Sequence, residues 1–206
     1  MSLWSVLTRR GLGRLFSGSG RSRLSEEEFS RLRRIALADD PALISQAIGN
    51  LSAEEVRELA REVLRERIGE AMSTLRDCDS CRELLSSGGH APIEMLEEFR
   101  LRIGQRGAQM DIDEEGGGGS QRGQGLRTRI RFGPANFLTG LSLSGMTLRE
   151  SQLQVILHEL AHAAGNVIPP DGGNPQESVR NQQRITRACL PETYERISRE
   201  SESLES

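Results

Sequence analysis

From Ser25 onward the apolar residues recur at helical spacing. Ser25-Glu-Glu-Glu28 has the form of a helix N-terminus, and Phe29, Leu32, Ile35 and Ala36 fall on one face behind it until Asp40-Pro41 ends the element. A second helix is predicted over 42–48. Ser52-Ala-Glu-Glu55 caps a third, whose apolar positions Val56, Leu59, Val63 and Ile68 lead on to Met72 and Leu75. The Arg and Glu residues between them read as a solvated face held by helical ion pairs. Shorter helices are predicted over 81–85 and 92–101. Periodicity then fails: Asp111-Ile-Asp-Glu-Glu115 and the four glycines behind it read as a flexible segment with solvated carboxylates. Alternation resumes where Thr128, Ile130 and Phe132 interleave with Arg127, Arg129 and Arg131, the pattern of a half-buried strand. Residues 133–138 read as a turn leading to that strand's partner.

A stronger helical signal follows. Thr147-Leu-Arg-Glu150 has the Thr-x-x-Glu form of a capping box, Leu153, Ile156, Leu157, Leu160 and Ala164 keep helical period, and Gly165 suits a helix stop. Within this helix stand two of the chain's three histidines, in His158-Glu-Leu-Ala-His162. Residues four apart lie about 40° apart around a helix and one turn along it, so both imidazoles can address one cation. Neutral imidazole is a good zinc ligand. Glu159, about 100° further round, can reach a water at an open coordination position without being a ligand itself. The expected chemistry is zinc-dependent hydrolysis.

The pentapeptide resembles the active-site motif of the zincin superfamily of metallopeptidases, and the stretch through Asn181, Ile185 and Cys189 looks like a group of uncharacterised bacterial zincin-like proteins. That resemblance implies Zn2+ on His158 and His162, Glu159 as general base, a third protein ligand downstream, and a peptide or protein substrate added to the edge of a small sheet. The longer metzincin pattern has a further His where this chain has Ile168, so the third ligand comes from elsewhere. Asp171, in a loop flanked by prolines and glycines, is the favoured candidate. Glu177, placed as the second glutamate of the gluzincin group, is the alternative, although Asn174-Pro175-Gln176-Glu177 also reads as an N-cap, a first-turn proline and a capping glutamate. The fold implied is α+β: a zincin-like catalytic domain over 77–198 with a small sheet and a flexible Gly-rich loop over 115–125, preceded by a helical region over 25–76. A catalytically inactive zincin-like module that binds metal, or a protein partner through its N-terminal helices, is the alternative reading.

Composition narrows the picture further. With 27 basic and 30 acidic residues the formal charge is −3, and aromatics make up 3%, so neither a basic footprint nor a stacking platform for nucleic acid is present. Every basic residue is Arg, which makes Arg-rich stretches a habit of composition. The first 24 residues carry five arginines and no acid, the composition of a disordered or targeting-like arm, and 199–206 reads as a disordered tail. No secretory core and no membrane span is legible, so the cytoplasm is the default compartment. Cys78 and Cys81 form a lone Cys-x-x-Cys that could join Cys189 and His90 in a structural zinc site. In an oxidising compartment a Cys81–Cys189 disulfide is the better reading.

Overall fold

A computed structural model describes residues 24–113, 121–141, 143, 145–165, 167–171 and 174–204. The predicted arm over 1–24, apart from Leu24, and most of the Gly-rich loop lie outside the described residues. The described chain forms eight α-helices: α1 (Glu26–Ala36), α2 (Pro41–Ile48), α3 (Ala53–Asp77), α4 (Asp79–Ser86), α5 (Pro92–Arg102), α6 (Leu148–Ala163), α7 (Pro175–Cys189) and α8 (Pro191–Leu204). Helix α8 continues to Leu204, through most of the stretch read as a tail. Three short strands complete the inventory: β1 (Met110–Ile112), β2 (Gln121–Arg122) and β3 (Arg129–Phe132).

The α+β, zincin-like expectation is overturned by this inventory: the protein is mostly helical. Its sheet, in the order β1-β3-β2 with β3 parallel to β1 and antiparallel to β2, is too small to form a layer of its own. The run of alternating residues before Gly133 supports only a four-residue strand. The long helix α3 takes the place of the sheet as the platform for the histidine helix. Ten residues of α3 are buried, and α1, α4, α5, β1 and α6 all pack on it. Residues 134–140, within the stretch read as a turn, coil into a helical turn that buries Phe137 and Leu138, and among the described residues no partner strand follows it before α6.

Local chemistry sets the helix starts. Ser25, Ser52 and Thr147 each close a reciprocal capping box, satisfying backbone N–H groups that a first turn otherwise leaves open. Strand β1 has a longer-range cause. Asp111 is buried, yet it accepts from Arg61 at 3.0 Å and from the backbone of Gly104 and Ile112, so the carboxylate read as solvated is satisfied inside the fold.

One hydrophobic core runs from Leu32 on α1 to Cys189 on α7. Across the α3–α6 interface, buried Arg67 donates to Gln152 Oε1 at 2.7 Å, and Gln152 Nε2 donates to the Phe137 carbonyl at 2.8 Å. These directional bonds set the rotation of α6 about its axis, and with it the direction of the histidines. A disulfide joins Cys81 at the start of α4 to Cys189 at the end of α7. Among the described residues no helix is long and apolar enough to cross a membrane.

Candidate metal centre

Helix α6 is buried on nearly every side, between α3 and α7, rather than lying amphipathic at the surface. At its C-terminal end Gly165 adopts φ +120°, and a Cβ there would run into the backbone of Gly88. The loop after α4 presses against the helix end at this point, which excludes any side chain. The Val167 N–H turns back to the Ala161 carbonyl, and the chain passes through buried Ile168 to Asp171.

That return brings three side chains together. His158 Nε2 lies 3.1 Å from His162 Nε2 and 3.1 Å from Asp171 Oδ2, while His162 Nε2 stands 3.9 Å from Asp171 Oδ1. One ligand atom from each falls within 4.8 Å of the others. Tetrahedral zinc with bonds of about 2.0–2.2 Å separates its ligand atoms by roughly 3.3–3.6 Å. The His158 edges already come close to this, and closing the longer His162–Asp171 edge would complete a site for a dication. Both histidines are buried, whereas the Asp171 side chain keeps 36% of its exposure, so the cluster opens to solvent on the Asp171 side.

Asp171 is held by its neighbours. Asn181, buried on the first half of α7, donates to Asp171 Oδ1 at 2.8 Å and to the Pro169 carbonyl at 2.8 Å, while Ser178 Oγ lies 3.4 Å from Oδ2. Burial pushes the Asp171 carboxyl up, but hydrogen bonds from His158 and Asn181 and the charge of both histidines outweigh it and hold the group at about 2. Asp171 is therefore an anion wherever a metal would be bound. Burial, then the nearby His158, pushes the His162 imidazole below its ordinary value, while a backbone hydrogen bond with Ile168 works the other way. A neutral ring oriented through one nitrogen leaves the other as a lone pair, the state a ligand requires.

Glu159 is 8% exposed and stands beside this cluster without joining it. Burial pushes its carboxyl up to about 7, against the pull of His158 and with a further push from Asp171. A cation in the cluster would favour the ionised form. The arrangement offers three ligand atoms, an open side and one proton-accepting carboxylate.

The other residues singled out in the sequence lie elsewhere. Glu177 sits in the first turn of α7, where its backbone N–H meets the Asn174 carbonyl, and it is not part of the ligand group. Cys81 and Cys189 are bonded to each other and His90 lies exposed against Gly125, so the Cys3His combination is not assembled. Cys78 is a free thiol whose Sγ contacts the Ala188 carbonyl at 3.2 Å. Arg180 and Arg184 are exposed, and Tyr194 lies under the Arg187 guanidinium at 6.0 Å. The anchoring role of Asn181 was missed in the sequence. Its signal is a polar residue on the same helical face as Ile185 and Cys189, four and eight positions on. No protein-family model, curated protein or solved structure matches this chain.

Proposed function

We propose that this protein is a zinc-dependent hydrolase acting on peptide bonds, with the metal held by His158, His162 and Asp171. One observation supports the reading above all: two imidazole nitrogens and a carboxylate oxygen converge within 4.8 Å of one another beside a buried glutamate. The likeness of the His-Glu-Leu-Ala-His pentapeptide to the zincin motif supports it too, although the helical fold shares no sheet layer with that expectation. When bound, zinc would polarise the scissile carbonyl and acidify a coordinated water.

The chain's own groups supply the rest. Glu159 accepts the proton released by the attacking water and returns it to the departing amine, a role for a buried carboxyl that a neighbouring cation keeps ionised. His162 stays neutral, and Asp171 stays charged with its geometry fixed by Asn181. The test is digestion of a peptide library with zinc, with zinc plus chelator, and by Glu159→Gln. Chelator-sensitive cleavage is expected, falling about 10²- to 10⁴-fold in Glu159→Gln while zinc content is unchanged. Zinc binding without chelator-sensitive cleavage would replace the enzyme with a metal-binding module.

A further inference from the structure

Two buried nitrogen atoms on α6 have no hydrogen-bond partner: Nδ1 of His158 and Nε2 of Gln154. Buried polar groups left alone are rare and costly, on the order of 1–3 kcal/mol each. Here the two belong to residues four apart, hence one turn apart on the same face of one helix. Gln154, His158 and His162 form a single row along α6. His158 turns Nε2 toward His162 and Asp171, at one end of the row, which leaves Nδ1 on the other side of the ring, and helical side chains in general lean toward the preceding turn. Gln154 occupies that preceding turn. It is 1% exposed, a site where a long polar side chain needs a reason.

We propose that Gln154 is a positioning residue for the metal centre, its carboxamide oxygen accepting the Nδ1–H of His158. The inference rests on the metal reading above, because a histidine that binds through Nε2 as a neutral ring must carry its proton on Nδ1, and that proton then needs an acceptor. A half-turn of the last side-chain torsion exchanges Oε1 and Nε2 with no change in shape, and since the two orphan atoms do not bond as they stand, a rotation about the inner torsions of Gln154 closes the remaining gap to Nδ1. The bond fixes the tautomer and the plane of the His158 ring. It is the counterpart of the backbone hydrogen bond with Ile168 at His162 and of the Asn181 amide at Asp171. Each of the three ligands is then oriented by at least one neighbour outside the coordination sphere.

The experiment uses the full chain loaded with zinc, a diamagnetic ion. In the parent, a slowly exchanging His158 Nδ1–H resonance with a through-space contact to the Gln154 γ-methylene protons is expected. Loss of the partner typically weakens a metal site about 10- to 100-fold. Gln154→Leu, matched in size, should therefore bind zinc more weakly by that factor in competition with a chelating dye and lose the resonance. Gln154→Glu, which keeps an acceptor, should restore both. Zinc affinity in Gln154→Leu within twofold of the parent, or a His158 Nδ1–H resonance with no contact to Gln154, overturns the inference. Either result leaves the metal reading intact if the parent binds zinc. A parent that binds no zinc overturns the metal reading instead.

Discussion

His158 and His162 present the same ring nitrogen to each other at 3.1 Å, a separation that needs either a shared proton or a shared cation between two lone pairs. Asp171, a carboxylate held at about 2 by its hydrogen bonds and the charge of the two rings, brings a negative charge to the same point, where either a proton or a cation would be stabilised. The histidine pair was legible at once, since ligand geometry on a helix is set by the four-residue interval alone. Asp171 was legible as one of two candidates, and its choice over Glu177 depended on how the loop folds back. The place of Asn181 on a buried helical face was visible but its partners were not, because they are a carboxylate and a carbonyl in a loop ten and twelve residues earlier. Asn181→Ala should therefore lower zinc affinity about 10- to 100-fold while circular dichroism stays that of the parent. Unchanged affinity by competitive titration would remove Asn181 from the account.

At the scale of elements, what the sequence revealed was what neighbouring residues decide. Three capping boxes marked three helix starts correctly because donor and acceptor lie three residues apart. Strand β1 was hidden because the partner of Asp111 is Arg61, fifty positions away on α3. Glu150 combines both kinds of contact: it closes the capping box of the histidine helix and also accepts from Thr193 and Arg196 on α8. Burial pushes its carboxyl up, but the hydrogen bonds from Thr193, Thr147 and Arg196 win and leave it below its ordinary value. The unfolded chain then binds more protons than the folded one between the two values, so this stabilisation is complete above pH 4.5 and fades as acid protonates Glu150. Glu150→Gln should cost about 1 kcal/mol at neutral pH, with the difference shrinking in strong acid. Urea denaturation of both proteins across that range checks this, and a difference that grows on acidification contradicts it.

For the whole molecule, the fold class was misread because a histidine helix, a strand before it and a helix after it are equally compatible with a sheet platform and a helical one. The sequence does not say which surface α6 rests on, and packing gave that place to α3. The Cys81–Cys189 bridge closes a separation of 108 residues and ties α4 to the helix that carries Asn181. Closing a loop of that length is worth roughly 4–5 kcal/mol in chain-entropy terms, so Cys189→Ser should be destabilised by about 2–5 kcal/mol in denaturant. A variant with parental stability would show that the bridge constrains nothing.

On this reading His158, His162 and Asp171 share one metal ion. Elemental analysis of the parent and of Asp171→Ala after reconstitution with zinc and removal of free metal addresses it most directly. One zinc per parent chain and a clear loss in the variant are expected. A parent chain that retains no zinc, or a variant that retains as much as the parent, contradicts it.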